Sequence, residues 1–260
     1  MTVIGWDAFI GSVQRKNAPV ALSIGVFDGV HRGHQALIGR VLEERSLEPW
    51  LLTFSRNPVL SLSPRRHAGD LMSLRHKLEA FAGMGIAGTI IVDFSRDFSR
   101  LKGAVFLSLI REHCALSCLV VGEDFHCGSE MDTGAEKAKI LLEKDGVRVD
   151  IVPPIFYSGE RISSTRIRNH VVAGSLAPAE AMLGRRYRLD LSAATVEGFR
   201  GRKRLDKEAL TQVTPRSGSF PALFEGPGGI AKEGILDIDE KCISWHYDGA
   251  VEAITFVSIG

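Results

Sequence analysis

From residue 20 to residue 152, short runs rich in Val, Ile and Leu alternate with segments of helical period, and few architectures accommodate that order. The runs are Ala21–Val26, Trp50–Phe54, Thr89–Val92, Cys118–Gly122 and Val147–Val152. Between them, Gly33–Ser46, Leu71–Ala82, Gly103–His113 and Thr133–Lys144 carry apolar residues three and four apart and end near Gly or a charged turn. Five strands joined by helical crossovers predict an α/β unit, a Rossmann-like parallel sheet covered on both faces. In such sheets ligands sit beyond the strand C-termini, where the strand order switches. The loop after the first strand, Phe27–His34, is therefore the expected binding loop.

Past Pro153-Pro154 the segment Ser163–Ala173 reads as a helix with Gly174 as its stop, and Pro178 opens a second short helix through Leu183. Gly184 ends the α/β pattern. The remainder is punctuated by Gly and Pro, with alternating stretches at Ala231–Ile238 and Ala250–Val257, which predicts a small C-terminal β-barrel-like domain. The expected division is thus 1–184 and 185–260. The basic cluster Arg200-Gly201-Arg202-Lys203-Arg204 reads as a solvated hairpin loop or as a reach toward phosphate.

Charge limits the partners. Thirty-two Lys and Arg stand against 31 Asp and Glu, so no net field recruits nucleic acid or an anionic membrane, and any anion site must be local. Small-molecule substrates are the expected partners; oligomeric state is not readable. No apolar run approaches the roughly 20 residues that span a bilayer, and no leader pattern is visible, which predicts a cytoplasmic protein. Cys114, Cys118, Cys127 and Cys242 show neither paired CxxC spacing nor a disulfide framework, so reduced thiols are expected.

Two turns carry the chemistry. Gly25-Val26-Phe27-Asp28-Gly29-Val30-His31-Arg32-Gly33-His34 and Ile162-Ser163-Ser164-Thr165-Arg166-Ile167-Arg168 each place cationic or imidazole groups where a helix begins. A helix N-terminus carries roughly +0.5 of a charge, so stability alone would favour Asp or Glu there. A polyanion bound by exposed N–H groups, hydroxyls and cations explains both turns. His31 and His34, three apart around Gly33, suit phosphate; a fortuitous pair and a pair of metal ligands are the alternatives. Asp28 is either a turn former or a contact for magnesium or a hydroxyl. One hydroxyl of Ser163-Ser164-Thr165 should cap the helix, leaving the other two and the Arg166 guanidinium for terminal phosphates. Arg168 is either a surface or a ligand residue. Phe54 and Phe125 are either core residues or ligand contacts.

Several separated motifs occur in order: Gly25–His34 with its HxGH core, Thr53-Phe54 before Pro58, Lys77 within Ser73–Gly85, Val121-Gly122-Glu123-Asp124-Phe125 with Gly128, Ile162–Arg168, and Leu183-Gly184-Arg185-Arg186-Tyr187. Together they make the first 184 residues resemble the adenylyltransferase module of prokaryotic FAD synthetases, the bifunctional riboflavin kinase/FMN adenylyltransferase family. The resemblance implies a nucleotidyltransferase that uses ATP with magnesium, takes FMN as substrate and releases FAD and pyrophosphate. It implies that His31 and His34 contact the phosphates undergoing transfer and that Ser164, Thr165 and Arg166 hold pyrophosphate. Gly25, Phe27, Asp28 and Gly33 fall in the ATP-binding turn, and Phe54, Pro58, Asp124 and Phe125 fall in the flavin and nucleotide cleft.

Where the family commonly has Pro-His-Pro this chain has Arg56-Asn57-Pro58, and where it has Arg-Phe this chain has His126-Cys127. Another phosphorylated acceptor, or a noncatalytic flavin- or nucleotide-binding regulator, are the alternative readings. The family's kinase motif Gly-Phe-Pro-Thr-Ala-Asn is missing: after Gly201-Arg202 comes Lys203-Arg204-Leu205-Asp206-Lys207-Glu208. The expectation is a degenerate, shortened kinase-like domain without riboflavin kinase activity.

Overall fold

A computed structural model of the chain describes residues 1–11, 18–58, 69–94, 96–199, 201–247 and 249–257. They fall into two compact units. The second contains residues 28–32, 69–77 and those from Phe156 onward, and the first contains the rest.

In the first unit β1 (Thr2–Gly5), β2 (Val20–Ile24), β3 (Glu48–Phe54), β4 (Gly88–Val92), β5 (Leu116–Gly122) and β6 (Arg148–Val152) form a wholly parallel sheet in the order β1-β4-β3-β2-β5-β6. The chain moves outward from β2 through β3 to β4, then returns to place β5 on the other side of β2. The order therefore switches between β2 and β5, the usual binding position in open α/β sheets.

Five strands were expected from the apolar runs, and the structure adds β1 at the edge. Its four residues are mostly exposed, so no buried run announced it. Also unanticipated is α1 (Trp6–Gly11), a short helix that buries Phe9. The crossover helices are α2 (Arg32–Glu43), α3 (Leu74–Gly83), α4 (Gly103–His113) and α5 (Ala135–Glu143). Leu22, Leu52, Ile90, Leu119 and Val121 from the central strands pack with Phe106, Leu107 and Ile110 of α4 in one core.

The second unit holds α6 (Ser164–Val172), α7 (Leu176–Leu183) and a seven-stranded antiparallel sheet. Its strands are β7 (Arg188–Asp190), β8 (Glu197–Phe199), β9 (Arg202–Asp206), β10 (Gly218–Glu225), β11 (Ala231–Ile238), β12 (Cys242–His246) and β13 (Ala253–Phe256). Their order is β7-β13-β10-β11-β12-β9-β8, an open ladder ending on β7 and β8. Phe224 stacks on Trp245 at 5.8 Å and on Tyr247 at 6.3 Å, and Tyr187 stacks on Phe256 at 5.8 Å.

Ile167, Val171, Met182 and Leu183 of the two helices join Leu236, Ile243 and Trp245 of the sheet in one cluster. By packing, the stretch from Phe156 to Leu183 therefore groups with the β-module, although its sequence pattern continues the α/β part. Helix α7 begins at Leu176, two residues before Pro178. A proline is tolerated there because N–H groups in a first turn have no intrahelical partner.

No helix among the described residues is long and apolar enough to cross a membrane. Cys114, Cys118 and Cys242 are buried free thiols and Cys127 is a half-buried one.

Candidate active site

The turn after β2 is conformationally expensive. Phe27 has φ 51°, Gly29 78° and Val30 40°. Glycine takes such angles freely, whereas a β-branched residue in the left-handed region is strained by roughly 1–2 kcal/mol. Strain of this kind persists only where neighbouring groups over-determine the backbone.

Within the second unit, residues 28–31 are held in just that way. The Leu71 N–H donates to Asp28 Oδ1 at 2.8 Å, and Arg168 Nη2 pairs with Asp28 Oδ2 at 2.7 Å. Ser164 Oγ donates to the Asp28 carbonyl at 2.9 Å. Arg185 Nη2 donates to the Gly29 carbonyl at 2.6 Å and its Nη1 to the Val30 carbonyl at 3.3 Å. His31 follows, buried, and α2 starts at Arg32 with no acidic residue in its first turn.

The surrounding charges are nearly dry. Burial pushes the Asp28 carboxyl up, reinforced by Asp70; Arg168 and the Leu71 N–H oppose it. Burial lowers Lys77, while Asp28 and Asp70 pull it the other way. Arg185 is brought down by burial to about 10, which leaves it protonated at neutral pH. Both Asp28 carboxylate oxygens are thus engaged, one by the Leu71 N–H and one by Arg168. Among the described residues no group of three or more His, Cys, Asp or Glu could hold a metal ion.

The second motif opens α6, also without an acidic residue in its first turn. Ser163 is the cap, accepting from the Arg166 N–H at 3.3 Å. Of the remaining hydroxyls, Ser164 contacts the Asp28 turn and Thr165 is exposed. The Arg166 guanidinium lies against the hairpin Phe156–Arg161. Its Nη1 donates to the carbonyls of Tyr157 at 2.8 Å and Glu160 at 3.0 Å, and its Nε pairs with Glu160 Oε2 at 3.1 Å. Arg168, for which surface and ligand roles were open, is not a surface residue. It is mostly buried between Asp28 and the Gly69 carbonyl, 2.8 Å from its Nε.

The first unit carries the other expected residues at the C-terminal ends of three adjacent strands. The N–H of Gly25, just past β2, donates to the Leu52 carbonyl at 3.1 Å. A Cβ on Gly25 would lie 3.2 Å from the Phe27 ring, so glycine lets that ring fold back over the turn. Phe27 is fully buried and meets the rings of His34 at 5.3 Å and Phe81 at 5.6 Å, both edge-on. Gly33 and His34 form the first turn of α2, and both are half-buried.

At the end of β3, Phe54 stands edge-on to Phe94 at 5.9 Å and to Phe98 at 6.2 Å, and Pro58 beyond it is half-buried. Just past β5, Asp124 is exposed and Phe125 is half-buried against the core, its N–H donating to the Gly122 carbonyl at 2.9 Å. Burial and the nearby Asp132 push the Cys127 thiol up to about 12, so it is not a nucleophile at neutral pH.

Residue types alone did not single out Arg168, Arg185 or Leu71 as partners of the Asp28 turn. Arg168 and Arg185 lay in motifs already noted. Leu71 acts through its backbone, which carries no sequence signal.

A parallel sheet with its order switch beside β2, an HxGH turn at that strand's end and a hydroxyl-capped helix touching the same turn define a Rossmann-like nucleotidyltransferase. The chain belongs to the FAD synthetase family, whose profile matches residues 13–166. The bifunctional riboflavin kinase/FMN adenylyltransferase of Escherichia coli K12 is 32% identical over 233 residues, covering 85% of this chain and 72% of that protein. Those of Pseudomonas fluorescens and Listeria monocytogenes are each 30% identical, covering 64% of this chain and 55% and 54% of theirs. In fold, the chain is similar to a macrolide-efflux protein from Streptococcus pneumoniae, with TM-score 0.82 at 20% identity over 98% of this chain and 89% of that one.

Proposed function

We propose that the chain transfers AMP from ATP to FMN and does not phosphorylate riboflavin. An FMN phosphate oxygen attacks the α-phosphorus of ATP. The bond from that phosphorus to the bridging oxygen breaks, and pyrophosphate leaves with the electron pair. No covalent enzyme intermediate is needed, so the residues align the reactants and neutralise charge on the transferring group.

The observation that carries this reading is the strained 27–30 turn, in a FAD synthetase family member, held so that His31 leads into the N-terminus of α2. His31 and His34 act there as neutral hydrogen-bond donors, since a helix N-terminus disfavours added positive charge. Gly25, Phe27 and Gly33 shape the turn for close phosphate approach, and Asp28 fixes it from behind. Ser164, Thr165 and Arg166 take the pyrophosphate, for which Arg166 exchanges its Glu160 partner. Magnesium enters with the triphosphate and keeps most of its ligands from phosphate and water. Phe54, Pro58, Asp124 and Phe125 border the flavin, and the altered Arg56-Asn57 and His126-Cys127 positions tune its affinity.

The lack of kinase activity rests on the missing Thr and Asn. At the corresponding stretch β9 ends at Asp206, and a short turn over Lys207–Ala209 follows. The functional modules remain 1–184 for transfer and 185–260 for a degenerate kinase-like domain.

Loss of flavin fluorescence as FMN becomes FAD, followed with pyrophosphate release, tests the transfer. His31→Ala should lower turnover about a hundredfold, the usual cost of one well-placed donor to a developing oxyanion. Near-native turnover in the folded variant would reject the role of His31, and FMN formed from riboflavin and ATP would reject the lost kinase.

A further inference from the structure

We propose that Gln212, in the C-terminal module, is a positioning residue for the turn that carries His31, an inference that rests on the adenylyl-transfer reading. Gln212 is 5% exposed, and its carboxamide is fully engaged. Oε1 accepts the Asp190 N–H at 2.7 Å, while Nε2 donates to the carbonyls of Leu71 at 3.2 Å and Arg188 at 2.9 Å.

Leu71 is the pivot. Its carbonyl is held by Gln212, and its N–H holds the Asp28 carboxylate. The preceding backbone is laced to the same loop: the Asp70 N–H donates to the Thr211 carbonyl and the Val213 N–H to the Asp70 carbonyl, each at 2.9 Å. Arg168 closes the circuit by bonding both the Gly69 carbonyl and Asp28. From the Gln212 amide to Asp28 there are two hydrogen bonds and one intervening residue, and His31 is three residues further on.

A module retained only to cover apolar surface would need no buried amide at this point. A buried carboxamide is costly unless all its bonds are made, and here two of them set the backbone on which Asp28 leans. The turn it steadies is strained at Val30, which sits at positive φ. Truncating Gln212 lets residues 69–71 shift and the strained turn relax, which moves the His31 ring. Misplacement of a catalytic group by about 1 Å costs up to a hundredfold in rate. The C-terminal sheet, without a kinase motif, thereby has a task in the transfer reaction.

The full-length chain is tested as Gln212→Ala and Gln212→Glu beside Ile238→Ala, a core truncation on β11 of the C-terminal sheet. The Glu variant keeps the acceptor for Asp190 and loses both donations, so it reports even where the Ala variant does not fold. Each is assayed for kcat and KM, melted, and compared by NMR of ring-labelled histidine, with His31 assigned from His31→Gln.

Expected for the Gln212 variants are a kcat about tenfold lower, KM values within about twofold, and a displaced His31 resonance. Ile238→Ala, equally or more destabilised, should keep both kcat and resonance. An unmoved His31 resonance with native kcat in the Gln212 variants, or an equal kcat loss in Ile238→Ala, overturns the proposal. A wild-type chain that makes no FAD would instead refute the transfer reading, and the histidine resonance would still decide whether Gln212 positions the turn.

Discussion

Gly25 and Gly29 stand four residues apart in one turn, and an added Cβ would be crowded at each for a different reason. Gly29 has φ 78°, and an added Cβ would lie 3.0 Å from Leu71 Cδ1 and 3.3 Å from Leu183 Cδ2. Gly29→Ala therefore meets both a backbone penalty and crowding, and urea denaturation should show a loss of about 1–3 kcal/mol. At Gly25 the crowding falls on the Phe27 ring alone, whose edge-on neighbour is His34. Gly25→Ala should consequently spare stability more and reduce kcat about tenfold by displacing that ring pair; equal stability losses with native kcat at residue 25 would refute the distinction. The glycines and histidines of this turn stood out in the sequence because their chemistry is unusual for a helix start. The role of Asp28 was not, since one carboxylate can cap a turn, bind a cation or pair with an arginine, and only folding brings Arg168 from 140 residues away.

At the level of elements, the buried central strands were read from composition because two-faced burial leaves a nearly continuous apolar run, broken only by Ser23 in Val20–Ile24. Helix α4 likewise begins and ends where its period predicts. The edge strand β1 escaped because exposure on an edge removes that run, and α1 was too short to show a period. For α6, the hydroxyl cluster predicted a cap without naming it. Ser163 takes the role because its extended backbone, φ −148° and ψ 154°, turns its side chain toward the Arg166 N–H. Ser163→Ala should cost about 1 kcal/mol by denaturant titration. It should also raise KM for ATP more than it lowers kcat, since the frayed first turn carries Ser164, Thr165 and Arg166. An unchanged midpoint would show that packing of Ile167 and Val171, not the cap, sets where the helix begins.

On the scale of the molecule, near-neutral net charge implied no net field, yet it could not disclose how charges are distributed. The alternating stretch Ala231–Ile238 was recognisable as a strand, whereas the ladder order joining it to strands either side depends on long-range pairing that no local pattern records. The same holds for Asp190, which fastens residues 73–75 to the β-module. Burial pulls its carboxyl up, but hydrogen bonds from Arg75, Ser73 and Ser192 outweigh this and hold it well below the usual value of roughly 3.9. A carboxyl depressed by folding stabilises the native state above its unfolded pKa, and that contribution is lost as pH falls through the folded value. Asp28, raised by burial, acts in the opposite sense, so the effect of Asp190 must be isolated by difference. Melting temperature followed downward from pH 7 should therefore drop more steeply below about pH 4 in the native chain than in Asp190→Asn, which is less stable at neutral pH and nearly level with it in acid. Parallel curves would mean that the Arg75 and Ser73 contacts do not depend on ionised Asp190, and that acid sensitivity resides in the other carboxylates of the fold.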